Sequence, residues 1–315
     1  MKERIYIAGG GGMLGEAFYL RFRDEFELKV TDIDVNEPWI SHLDFRDLVS
    51  YRADVVSFAP DYLFHIGAHT DLEYCEQNME DAYLTNTISV QHAVTISNEL
   101  NIPLVFISTA GIFDGMKEVY DEEDIPNPLG HYARSKYNGE KFVLENKQHC
   151  LVCRAGWMMG GGPHKDKKFV GKILRQIKAG QKTLRIVNDK FGTPTYTHDF
   201  AATVKTLFDQ RHWGLYHVVC EGETSRMEIA REILKLLYKE KEITVDEVSS
   251  DFFKSEYFAP RPSSERLVNA RLERLRLNGM RNWKTCLKEY LDGYYRDYFD
   301  SPVSVVGPNQ IHVSP

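Results

Sequence analysis

The sequence predicts an α/β fold: a doubly wound parallel sheet with a smaller C-terminal α/β unit. Three observations predict it. Short apolar runs alternate with amphipathic runs through the first half, as parallel strands joined by crossover helices do. A glycine turn follows the first apolar run and opens the first helical one. Glycine, hydroxyl or acidic residues stand at the carboxyl ends of five separate strands, where such sheets bind ligands.

The first strand is Arg4-Ile5-Tyr6-Ile7-Ala8, and Gly9 to Gly15 follows it as G-x-x-G-x-x-G. Gly9 lets the backbone turn sharply, Gly12 lets the main chain approach a phosphate, and Gly15 lets the helix pack close to the sheet. Met13 to Leu20 is the amphipathic start of that helix, whose free N–H groups would face a pyrophosphate. The second strand, Glu27 to Thr31, ends in Asp32, at the distance expected of a ribose-binding carboxylate. That context, more than the glycines alone, marks a Rossmann-like dinucleotide site. A carboxylate at Asp32 suits a free ribose 2′-hydroxyl and repels a 2′-phosphate. No arginine follows among Ile33, Asp34 and Val35, so NADH is favoured over NADPH as cofactor.

Tyr62 to Ile66 is the next strand, and helical pattern runs from about Glu73 to Leu100. Pro103 to Ile107 is a strand ending in Ser108-Thr109, and a helix runs from about Tyr132 to Asn146. Cys150 to Arg154 is a strand ending in Ala155-Gly156-Trp157. Gly67 stands at the end of the strand Tyr62 to Ile66. Residues 1–160 therefore read as the dinucleotide-binding domain, to which the chain returns at about 191–220. Residues 161–300 read mainly as a substrate-binding domain, with helices from about 167, 199 and 224 and strands near 184 and 215. Residues 301–315 lack periodicity and read as a tail. Gly160 to Pro163 reads as a hinge or loop.

Composition narrows the function. With 315 residues, 43% hydrophobic and 27% charged, the chain has the profile of a soluble globular protein with a sizeable core. A net charge of −7 argues against nucleic acid, and no apolar run reaches membrane-spanning length. No leader is expected, since the first strand begins at once. Five cysteines are too scattered for a disulfide framework, and Cys150 and Cys153 would point to opposite faces of a strand. Free buried thiols and a cytoplasmic setting are expected.

Tyr132-Ala133-Arg134-Ser135-Lys136 carries the chemistry. Phenol and ammonium one helical turn apart share a face. The ammonium would lower the phenol from its ordinary value near 10 toward the working range. Thr109 would steady a carbonyl and Tyr132 would protonate it. Lys136 would also bind the nicotinamide ribose, and Ser108 would offer a second hydroxyl to the substrate. With a dinucleotide beside them, this is equipment for moving a hydride and a proton together.

The chain resembles the extended short-chain dehydrogenase/reductases, and among them the dTDP-4-dehydrorhamnose reductase family. Gly9 to Gly15, Leu43-Asp44, Ala68-His69-Thr70, Ser108-Thr109, Ile112 to Gly115 and Asn127 to Lys136 carry the resemblance. Phe191 to Thr195, Gly214 to His217, Gly222 to Ser225, Arg261-Pro262 and Arg266-Leu267 continue it to about residue 293. It implies a reductase of a nucleotide-linked 4-ketosugar. It implies a cofactor set of Gly9, Gly12, Met13, Leu14, Gly15, Asp32, Asp44, Ala68 and Lys136, with Asp44 meeting the adenine. It places Trp157 beside sugar and nicotinamide, and Phe191, Thr195 and Arg261 on the nucleotide diphosphate. His164 to Lys168 could line the entrance for an anionic substrate, or be an exposed basic loop. The family commonly reads S-T-D-Y-V-F where this chain has Ser108-Thr109-Ala110-Gly111-Ile112-Phe113, which leaves room for a bulkier or differently substituted sugar. No metal is expected. A 4-epimerase or dehydratase remains an alternative, as does a non-catalytic subunit like the methionine adenosyltransferase β subunit. A homodimer is one option for the assembly.

Overall fold

The computed structural model describes residues 2–300, so the tail at 301–315 lies outside the described residues. Seven parallel strands form the central sheet: β1 (Arg4–Ala8), β2 (Glu27–Asp32), β3 (Ile40–His42), β4 (Tyr62–His65), β5 (Leu104–Thr109), β6 (Cys150–Ala155) and β7 (Gly214–His217). Their order is β7-β6-β5-β4-β1-β2-β3. The chain winds outward from β1 to β3, then crosses back to β4 and winds the other way. The carboxyl ends of β1 and β4 thus flank the point where winding reverses, and a ligand crevice opens there.

Side-chain alternation divides the core in two. Ile5, Ile7, Val105, Ile107, Leu151 and Cys153 face one cluster, and Tyr6, Ala8, Leu104, Phe106, Cys150 and Val152 face the other. A strand covered on both faces must be apolar throughout, which is why β1, β5 and β6 read as continuous apolar runs. The helices Met13–Phe22 and Thr197–Asp209 cover the first face, where Phe18 stacks on Phe22 and meets Phe64 and Phe200 edge-on or tilted. The helices Ser89–Glu99 and His131–Asn146 cover the second. Cys150 and Cys153 fall in opposite clusters, and all five cysteines are free and buried.

Several elements differ from the sequence reading. Ile40–His42 and the helix Leu48–Phe58 complete the sheet's edge, although three residues show no period and the helix buries little besides Tyr51 and Val55. The run expected from about 73 to 100 is broken into Leu72–Gln77, Met79–Tyr83, a π-helical turn Leu84–Ile88 and Ser89–Glu99. That widened turn has a use. Asn86 within it accepts from His69 N at 2.8 Å and donates to His69 O at 3.0 Å, fixing the loop after β4. Beyond β6, short strands Trp157–Met159 and Pro194–Tyr196 pair, as do Thr183–Val187 and Thr244–Val248. Phe191–Gly192 joins Thr224–Ser225 and Ser264–Glu265. These pieces and the helix Arg226–Leu236 stand over the carboxyl ends of the sheet.

Candidate active site

A cleft of about 350 Å³ runs from the glycine turn to the C-terminal segments. At its start, Gly9 has φ +91°, and a Cβ there would lie 2.1 Å from Gly67 Cα. A Cβ on Gly15 would lie 1.9 Å from the Gly10 carbonyl oxygen, so the helix can approach the turn only as glycine. Gly12 is different. Nothing lies within 4 Å of the Cβ it lacks, and no side chain caps the helix that it opens. Gly9, Gly12, Met13 and Leu14 line the cleft, a fit for a pyrophosphate at a helix N-terminus. Ala68 and Asp32 line it too. Asp32 is oriented by accepting from Gly11 N and Asp34 N, each at 2.9 Å. Asp44 is not on this wall. Arg46 grips its carboxylate at 2.9 and 2.6 Å and holds the carboxyl below its usual range.

Ser108, Thr109, Tyr132 and Lys136 meet at the middle of the cleft. Thr109 closes β5, its hydroxyl accepts from Gly111 N at 3.1 Å, and both it and the Tyr132 ring border Gly111. The Ser108 hydroxyl is buried with no partner among the described residues, which leaves it for a ligand. Lys136 Nζ donates to the Ile107 carbonyl at 2.7 Å and lies 4.4 Å from the centre of the Phe106 ring. Burial lowers its ammonium to about 7, against an opposing effect of Glu140. Burial raises the Tyr132 phenol to about 12, and the polar Thr109 side chain nearby opposes that rise. The expected lowering of Tyr132 by Lys136 is therefore corrected. The ammonium is turned onto the strand beneath, and desolvation of the phenol prevails.

At the far end, Trp157 Nε1 donates to Glu265 Oε2 at 2.7 Å, and the Arg226 guanidinium lies 3.7 Å over the Trp157 ring. Arg226 and Glu265 carried no sequence signal. One is the first residue of an ordinary amphipathic helix, the other sits in a two-residue strand, and their partners are distant in sequence. Arg261 lines the cleft while its fork grips Glu73 at 2.6 and 2.8 Å. Phe191 and Thr195 are off the wall. Phe191 lies under the Arg266 guanidinium at 4.6 Å, and the buried Thr195 hydroxyl accepts from Gly156 N at 2.8 Å, bracing the strand end before Trp157. At Gly111 a Cβ would sit 3.4 Å from Glu265 Oε1 and 3.5 Å from Thr109 Oγ1, ordinary contacts that leave room beside the reactive hydroxyls.

Known proteins share this architecture and sequence. The chain is 30% identical to a dTDP-4-dehydrorhamnose reductase of Mycobacterium tuberculosis, over 91% of each chain. A crystal structure of dTDP-4-dehydrorhamnose reductase from Yersinia enterocolitica is 32% identical, with a TM-score of 0.83 over 92% of this chain and 99% of that one. The Bacillus anthracis reductase, solved in complex with NADP, is 26% identical, with a TM-score of 0.84 over 93% and 99%. The family model described as RmlD substrate binding domain matches residues 2–296, and the chain belongs to that family.

Proposed function

We propose that the protein is an NAD(P)H-dependent reductase of a nucleotide-linked 4-ketosugar, with NADH the favoured donor. One observation carries the reading: the glycine turn and the Thr109, Tyr132 and Lys136 side chains line one cleft across the sheet's switch point. A dihydronicotinamide bound there supplies the hydride. Thr109 donates a hydrogen bond to the substrate carbonyl. Tyr132, protonated at neutral pH because burial holds its phenol near 12, delivers the proton to that oxygen. Lys136, whose ammonium meets the Ile107 carbonyl in the ligand-free cleft, would bind the cofactor's ribose hydroxyls. Asp32, on the cleft wall at the glycine turn, would meet the other ribose and supports the preference for NADH.

The reductase is favoured over a bound-cofactor epimerase or dehydratase by the resemblance of its later motifs. The gathering of Thr109, Tyr132 and Lys136 on one cleft wall favours it over a non-catalytic subunit. Buried free thiols support a reducing, cytoplasmic setting, and no described helix is long and apolar enough to cross a membrane. Turnover followed by mass spectrometry, with NADH or NADPH and a panel of nucleotide ketosugars, tests the reading. Stoichiometric oxidation of the dinucleotide is expected. Tyr132→Phe should lower kcat by about 10²–10⁴-fold with NADH binding retained. Full activity in that variant removes Tyr132 from the mechanism.

A further inference from the structure

Among the cationic side chains that line the cleft, Arg226 is singular. Its guanidinium lies between two rings, 3.7 Å over Trp157 and 4.6 Å over Phe169. With both faces covered, only its N–H edge is left for hydrogen bonding. No protein acceptor meets that edge among the described residues, and Arg226 forms no ion pair there. Arg261 has the opposite condition, its fork already engaged by Glu73. Lys168, also on the wall, donates only to the neutral Thr70 carbonyl and hydroxyl, at 2.7 and 3.0 Å. Both cations are half-buried with no carboxylate partner among the described residues, and a ligand anion would offset the cost of their partial desolvation. Desolvation, opposed by the charge of Glu265 and aided by that of Arg261, holds Arg226 down to about 10, which leaves it charged at neutral pH.

The order of contacts along the cleft says which anion fits. Tyr132 and Thr109 border Gly111, Gly111 borders Glu265, Glu265 holds Trp157, and Trp157 carries Arg226. Arg226 therefore lies beyond the indole from the proton donor. In a nucleotide-linked 4-ketosugar the reacting carbonyl and the phosphorylated anomeric carbon are on opposite sides of the ring. We propose that Arg226, seconded by Lys168, is the phosphoryl-binding group of the substrate half of the cleft. A planar fork held edge-on suits bidentate contact to phosphoryl oxygens, and its stacking removes rotamer freedom before the ligand arrives. The identity of the phosphoryl group as a sugar nucleotide's diphosphate rests on the function proposed above.

Calorimetric titration of the purified protein with dTDP, thymidine, inorganic pyrophosphate and NADH tests this. Arg226→Met keeps a side chain between the rings and removes the charge. It should weaken dTDP ten- to a hundredfold while thymidine and NADH bind as in the wild type. Arg226→Lys restores charge without the planar fork and should recover only part of the loss. Unchanged dTDP affinity in Arg226→Met overturns the inference, and so does equal loss of NADH, which would mark a structural role. If the wild type ignores dTDP but binds pyrophosphate in an Arg226-dependent way, the phosphoryl site stands and the nucleotide-sugar reading falls. If neither probe depends on Arg226, this inference falls while ketosugar turnover can still uphold the reductase.

Discussion

Lys136 is the residue whose protonation costs most near neutral pH among the reactive groups. Burial places its ammonium at about 7 in the folded protein, against an ordinary 10.5. Between those values the unfolded chain binds more protons than the folded one, so this group makes stability rise with pH. Lys136→Met should cancel that slope. The wild type should gain about 2 kcal/mol relative to Lys136→Met between about pH 7 and about pH 9, read from urea midpoints. A pH-independent difference would show that the ammonium is not desolvated. Asp32 bears a different test. Removing its carboxylate in Asp32→Ala should weaken NADH and improve NADPH relative to it, measured by fluorescence titration. A wild type that already prefers NADPH strongly would contradict the role given to Asp32. The four-residue spacing of Tyr132 and Lys136 was legible in the sequence, because a helix puts such residues on one face. Their electrostatics were not, because the ammonium's contacts come from Phe106 and Ile107 on a strand of another part of the chain.

The glycine turn joins strand to helix by two kinds of constraint, and substitution separates them. Gly15 is fixed by protein contact, Gly12 only by what would lie outside it. Gly15→Ala should lower stability by several kcal/mol or prevent folding, because a Cβ must displace the Gly10 backbone. Gly12→Ala should leave the melting temperature within a few degrees and weaken NADH at least tenfold, since its φ of −79° accepts alanine. Tight NADH binding by Gly12→Ala would move the pyrophosphate elsewhere. The turn was legible because it is local: strand, glycines and helix are consecutive. The three-residue β3, the π-helical turn and the short strands that carry Glu265 were not. Strands of two or three residues carry no period, the π-helical turn depends on Asn86 bonding His69, and the strand of Glu265 pairs with Phe191–Gly192 far back in the chain.

Across the whole molecule, the cleft is closed on one side by a link between segments 188 residues apart. Arg261, from the C-terminal part, grips Glu73 on the helix Leu72–Gln77, and Glu73 is 2% exposed. Burial pushes the Glu73 carboxyl up, but the hydrogen bond and charge of Arg261 hold it below its ordinary value. The order of alternating strands disclosed the central sheet, and resemblance marked Arg261. Glu73 gave no signal, because its partner is decided by where the later segments dock. Removing one member of a buried pair leaves an uncompensated charge and costs about 3–5 kcal/mol. Arg261→Ala should therefore destabilise strongly, and Glu73→Ala should relieve much of that loss in the double variant. Urea unfolding of the four proteins measures the coupling. Strict additivity would mean that the link contributes nothing to holding the two segments together. Kinetics then separate the link from ligand binding. If Arg261 only joins the walls, Glu73→Gln and Arg261→Gln should raise KM for the ketosugar nucleotide alike. A further ten- to hundredfold rise confined to Arg261→Gln would show that its remaining donors also reach the diphosphate.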